Sequence, residues 1–204
     1  MTRTTSKGLL QYLALLAMLV VSIPTSQAGI LDTHPNAYAG WTGTSPFNNG
    51  LGLSGTLDYT VFTAADFNAN FGGLGYVPTD ALVYTYQLFV TGTLNSSAEL
   101  VGVINPANGI GSFNIGGLAP SSASFTPNAR WNFAGGIPTG SSSYGLAFSS
   151  PNIPIFGSSL TFDGGTPAAG GIVPTPGPIA IPEPASLCLL ATSLAIACFS
   201  RRHR

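Results

Sequence analysis

Leu51-Gly52-Leu53-Ser54-Gly55-Thr56-Leu57-Asp58-Tyr59-Thr60-Val61 and Leu82-Val83-Tyr84-Thr85-Tyr86-Gln87-Leu88-Phe89-Val90 decide the fold class. In the first stretch Leu51, Leu53, Leu57, Tyr59 and Val61 are apolar, with Ser54, Thr56, Asp58 and Thr60 between them. In the second, Leu82, Tyr84, Tyr86, Leu88 and Val90 repeat the spacing. A period of two places each apolar set on one face of an extended chain, so both read as half-buried β-strands. Shorter strand candidates follow at 100–104, 111–115, 131–134, 144–148, 153–156 and 160–162, and no intervening segment shows a convincing helical period.

Between these runs stand turn signals: Asn48-Asn49-Gly50, Gly72-Gly73, Asn105-Pro106, Asn108-Gly109, Gly116-Gly117, Gly135-Gly136 and Asp163-Gly164. Many short strands punctuated by Gly and Asn predict an all-β ectodomain, an antiparallel sandwich or barrel. Eleven Phe, six Tyr and two Trp between Gly29 and Ile181 supply the apolar mass for a core, which disfavours disorder.

Charge is scarce. Only 6% of the 204 residues are charged, whereas an ordinary soluble domain carries about a quarter. From Gly29 to Ile181 there are six acids (Asp32, Asp58, Asp66, Asp80, Glu99, Asp163) and one base, Arg130. That balance excludes a nucleic-acid partner, which needs a basic footprint. Both cysteines, Cys188 and Cys198, fall near the C-terminus, so the middle is expected to have neither disulfides nor thiol ligands.

The ends carry an address. Arg3 and Lys7 precede the apolar run Leu9 to Ile23, followed by Pro24 and the small-residue site Ser26-Gln27-Ala28. Residues 1–28 therefore read as a signal peptide for Sec-type export, cut by signal peptidase between Ala28 and Gly29. Residues 29–162 form the β-rich extracellular domain, and the Gly/Pro-rich stretch 163–181 reads as a linker of extended polyproline character. Residues 182–204 begin with Pro182-Glu183-Pro184, continue through an apolar run at 185–200 and end in Arg201, Arg202, His203 and Arg204. Sixteen helical residues span about 24 Å, a short membrane helix whose arginines stay on the cytoplasmic side.

This C-terminal arrangement resembles that of the bacterial PEP-CTERM proteins, with motif, short membrane helix and arginine cluster in the same order. The resemblance covers about the last 24 residues. It implies recognition of Pro182, Glu183 and Pro184 by an exosortase, an integral membrane peptidase or transpeptidase, and an association with exopolysaccharide and biofilm matrix. Asp58-Tyr59-Thr60-Val61-Phe62 and Tyr84-Thr85-Tyr86-Gln87-Leu88-Phe89 are also similar to ectodomains found with such tails. The expected location is an exported protein, transiently anchored through 185–200, then cell-surface or extracellular.

Motifs for chemistry are sparse. Gly50, Gly52 and Gly55 match G-x-G-x-x-G, but a strand pattern follows where a helix should begin, so turn and strand-start roles are expected. His34, beside Pro35, reads as a loop histidine, since no G-x-S-x-G elbow accompanies it. The carboxylates are too scattered for a D-x-D-x-D loop; if calcium binds, Asp58, Asp66 and Asp80 are the first candidates, and no other cofactor is expected. Asn95-Ser96-Ser97 fits a glycosylation sequon of little meaning in bacteria. Trp41, Trp131, Tyr84 and Tyr86 are candidates for a sugar-binding face, with a core role the stronger expectation for aromatics alternating in strands. The function expected is a non-enzymatic surface or matrix protein. The alternatives are a carbohydrate-binding or adhesive module and a secreted hydrolase with a dispersed site.

Overall fold

The computed structural model describes residues 29–92, 97–101, 107–125, 128–163 and 166–178. The signal peptide (1–28), the sequon at Asn95 and Ser96, the strand candidate beyond 101, and the sorting tail (182–204) lie outside the described residues. The strands are β1 (Thr42–Asn48), β2 (Ser54–Thr63), β3 (Leu82–Val90), β4 (Ser97–Val101), β5 (Asn108–Phe113), β6 (Ser122–Phe125), β7 (Ala129–Asn132), β8 (Gly145–Ser150), β9 (Pro154–Asp163) and β10 (Thr166–Pro176). The two deciding stretches of the sequence supply β2 and β3, hydrogen-bonded neighbours with Tyr59 opposite Tyr86 and Val61 opposite Tyr84.

The strands run in the order β5-β8-β3-β2-β1-β10-β9-β4-β7-β6, with every pairing antiparallel. This is the all-β, antiparallel class expected. The single register pair joining β1 to β10 is Phe47 with Gly170, so the order divides there into two five-stranded halves. Their facing sides share one core: Leu57, Val61, Tyr84, Tyr86 and Leu88 from the first half, Ala129, Trp131, Ala168 and Val173 from the second. At the far end of the order, Trp131 on β7 donates its Nε1–H to the Gly111 carbonyl on β5 at 2.8 Å. The halves are thus tied at both sides.

The buried tyrosine hydroxyls find hydrogen-bond partners, as desolvated polar groups generally do. Tyr84 donates to the Asn152 carbonyl at 2.7 Å, Tyr86 to the Pro174 carbonyl, and Tyr76 shares a 2.7 Å hydrogen bond with Ser149 Oγ. Burial pushes all three phenols above their ordinary value, Tyr76 to about 12. Above pH ~10 the unfolded chain releases these protons while the folded chain keeps them, so stability falls as pH rises through that range. The phenolate absorbance of these three tyrosines is therefore expected to appear together with unfolding, as one cooperative alkaline transition. Independent ionisation in an intact fold, seen by parallel circular dichroism, would contradict their burial.

The outer face of the first half is also covered, which makes all nine residues of β3 buried. A helix that periodicity did not announce, α1 (Ala64–Phe71), follows β2 directly. Thr63 caps it, accepting from the Asp66 amide at 3.1 Å, while its hydroxyl donates to Asp66 Oδ2 at 2.6 Å. Two turns are too few for a periodic signal; the legible mark was Thr63-x-x-Asp66 followed by Phe67 and Phe71 one turn apart. Those rings pack on Phe62 and Phe113 with centroids 5.1 to 6.2 Å apart. Beside the helix, residues 29–34 lie across β1 and β2: the Leu31 carbonyl accepts from the Thr42 and Thr60 hydroxyls, and Leu31 is fully buried.

The stretch read as a spacer over 163–181 differs from that expectation between Thr166 and Pro176, which form β10 paired with β9. Proline in a ladder is tolerable only where the missing N–H would face away from the partner. Here Gly177 N–H bonds the Ile153 carbonyl of the β9 side at 2.9 Å, so by alternation Pro174 and Pro176 turn their backbone groups to the opposite side. The Pro174 carbonyl there receives Tyr86. A register shift between Ala169 and Ile172 restores the same phase for Pro167.

Candidate functional site

A cleft opens where residues of both halves meet. A 3₁₀ turn at Tyr38–Gly40, with Ala39 and Gly40 at positive φ (48° and 77°), reverses the chain and delivers Trp41 to the start of β1. Tyr59 comes from β2 and Phe156 from β9. With Ala39, Gly40 and Thr42 these three aromatics line a volume of about 340 Å³. The Trp41 and Phe156 rings stand 4.7 Å apart, tilted by 51°. Phe156 is 55% exposed and Trp41 is partly so, an unusual surface position for two large apolar rings. Burial pushes the Tyr59 phenol above its ordinary value, so it is a neutral hydroxyl at physiological pH. Flat apolar faces rimmed by a hydroxyl can stack on the C–H face of a sugar ring while hydrogen-bonding its edge.

Of the four aromatics proposed for a sugar face, the structure brings Trp41 to this cleft and buries the rest. Tyr84, Tyr86 and Trp131 belong to the core, with Tyr84 and Phe148 stacked at 5.1 Å. Phe156 was not singled out in the sequence, and its signal was weak: it lies on an Ile153-to-Phe156 strand candidate that reads as core, whereas Ile153, Ile155 and Phe156 are exposed.

The acids are dispersed. Asp58 is buried on β2, where its Oδ2 accepts the Gly29 amide at 2.9 Å. Asp66 closes the α1 cap, and Asp80 accepts from Asn108 Nδ2 at 2.7 Å. Among the described residues no group of three His, Cys, Asp or Glu side chains assembles. His34 lies edge-on to Phe62 at 4.7 Å with its Nδ1 accepting the Asn36 amide. Desolvation there lowers its pKa, partly offset by Asp66. Gly50 and Gly52 occupy the β1–β2 turn at φ 69° and 110°, Gly55 lies within β2, and the motif thus opens a strand and not a helix. Of the signal-peptidase pair, Gly29 is described and Ala28 is not; Pro182, Glu183, Pro184, Arg201, Arg202 and Arg204 also lie outside the described residues.

Comparison with family models, curated proteins and solved structures finds no match to this chain.

Proposed function

We propose that this chain is exported, sorted by an exosortase and left at the cell surface or in an exopolysaccharide matrix as a non-enzymatic protein. The observation that carries the proposal is the pair of terminal signals around a body with one base and six acids: basic, apolar and small-residue parts in 1–28, and Pro-Glu-Pro, apolar run and arginines in 182–204. In this account residues 185–200 cross the membrane as a helix until the sorting enzyme acts near Pro182 to Pro184. The test is intact mass and fractionation of the native protein from cells with and without that enzyme. Loss of 1–28 in both, and of the tail only when the enzyme is present, is the expected result. A full C-terminus in both strains would make the tail a permanent anchor and end the sorting proposal.

A second reading, a carbohydrate-binding or adhesive module, is favoured by the Trp41, Tyr59 and Phe156 cleft. It predicts that Trp41→Ala weakens binding to a responsive glycan by about 1–2 kcal/mol, roughly five- to thirtyfold, with the fold retained. Of the two tryptophans, Trp41 is accessible and Trp131 is 1% exposed, so a bound sugar should perturb the emission of Trp41 alone. A glycan array with no binder, or an equal affinity in the variant, would sink this reading.

A further inference from the structure

Asp58 is 2% exposed in the middle of β2, between Thr44 on β1 and Gln87 on β3. Carboxylates are almost never buried so fully without a cationic partner. Its bonds come from neutral donors: the Gly29 backbone nitrogen at 2.9 Å and the Thr44 side chain. Arg130, the one Lys or Arg between Gly29 and Ile181, lies on β7 in the other half of the fold. Position 29 accepts only glycine without rearrangement, because a Cβ would stand 2.5 Å from Asp58 Oδ2 and 2.8 Å from two Phe89 ring atoms.

We propose that Asp58 is an internal receptor for the mature N-terminus: cutting between Ala28 and Gly29 converts a neutral amide bond into an ion pair between the Gly29 ammonium and the Asp58 carboxylate. The proposal rests on the signal-peptide reading above. Hydrolysis adds the water's hydroxyl to the Ala28 carbonyl carbon and leaves an amine on Gly29, which takes up a proton at neutral pH. The nitrogen that already meets Asp58 then carries a full charge and three donors, and a charge-assisted bond is roughly twice as strong as a neutral one. The pair fastens residues 29–34 over the outer face of β1 and β2, so removal of the leader completes the fold it leaves behind. Burial raises the Asp58 carboxyl, the Thr44 and Gly29 bonds lower it, and Asp32 raises it again; the other neighbours, Gln87 and Phe89, are neutral.

Lys7 is the only lysine and lies in the removed segment, so the processed chain has a single amine. The full chain is exported in a bacterial host, purified, sequenced from its N-terminus and acetylated with an N-hydroxysuccinimide ester across a pH series, with intact mass as the readout. Only the free base reacts, so the midpoint of the rate profile reports the amine pKa. The expected midpoint in the native protein lies about one unit above that of the same protein in denaturant, near 8, which makes native acetylation about tenfold slower at pH 7. Asp58→Asn abolishes the shift. Simple occlusion would slow the reaction equally at every pH and leave the midpoint in place. A chain beginning at Gly29 with an unshifted midpoint overturns the pairing alone, whereas a different first residue overturns the signal-peptide reading and the pairing with it. The wild-type comparison needs no variant, so it stands even if Asp58→Asn does not fold. A raised amine pKa stabilises the fold below the unfolded value, and that stabilisation is lost as pH climbs through the folded one.

Discussion

Trp131→Ala is expected to lower the stability of the β-body by about 3–5 kcal/mol or more. The side chain is 1% exposed and packs against Tyr86 and Phe148 with centroids 6.3 and 6.5 Å away. Truncating a buried Trp costs about 3–5 kcal/mol, out of a typical domain stability of about 5–15 kcal/mol. The damage here exceeds a cavity. Trp131 belongs to the second half and its Nε1–H bonds the Gly111 carbonyl of the first, so the change also unpairs a carbonyl at the seam. Denaturant unfolding followed by near-ultraviolet circular dichroism measures the loss. A change below about 1 kcal/mol would mean that the two halves do not share one core.

Gly55→Ala is expected to be the most damaging single-methyl addition among the positions discussed. A Cβ at 55 would stand 2.1 Å from the Phe89 carbonyl oxygen and 2.6 Å from Phe47 Cζ. The first obstacle is the backbone of the paired strand, which cannot rotate aside. The β2–β3 ladder must open where Gly55 faces Val90, and Phe47, which is paired with Gly170 of the other half, must move with it. Overpacking of this kind costs about 3 kcal/mol, at the upper end of the usual range. The thermal midpoint of the variant, compared with that of Ser54→Ala one residue away, isolates the effect. A Gly55→Ala protein as stable as Ser54→Ala would show that β2 and β3 lie further apart than described.

Alternation exposed both strands: β3 carries five apolar residues at period two within the bounds that its sequence announces, whereas β2 keeps Leu57, Tyr59 and Val61, and Leu51 and Leu53 fall before it. The same pattern hid the second burial. Asp58, Thr60, Thr85 and Gln87 look like a solvent face, yet all four are buried: residues 29–34, from more than twenty positions away, meet Asp58 and Thr60, while Thr85 and Gln87 bond the Thr60 and Ser143 carbonyls. β1 escaped because Thr-Gly-Thr-Ser-Pro-Phe-Asn has one large apolar residue, and β10 because its prolines suggest a spacer until the neighbouring strand shows which side they face. The candidate cleft was one-third legible: Trp41 was named, but Tyr59 and Phe156 join it only when β2 and β9 are brought together.

The pairing of Phe47 with Gly170 joins positions 123 residues apart. A chain synthesised N-terminus first delivers β1 long before the strand that closes against it, and β2 to β9 come in between. Such long-range closure has a high contact order, which puts folding in the range of about milliseconds to seconds, slow compared with a helical bundle. Until β10 joins β7 over it, the apolar side of β2 and β3 is only partly covered, so the incomplete chain is exposed to self-association. The seam between the halves therefore sets the interval in which this protein is most in need of a chaperone.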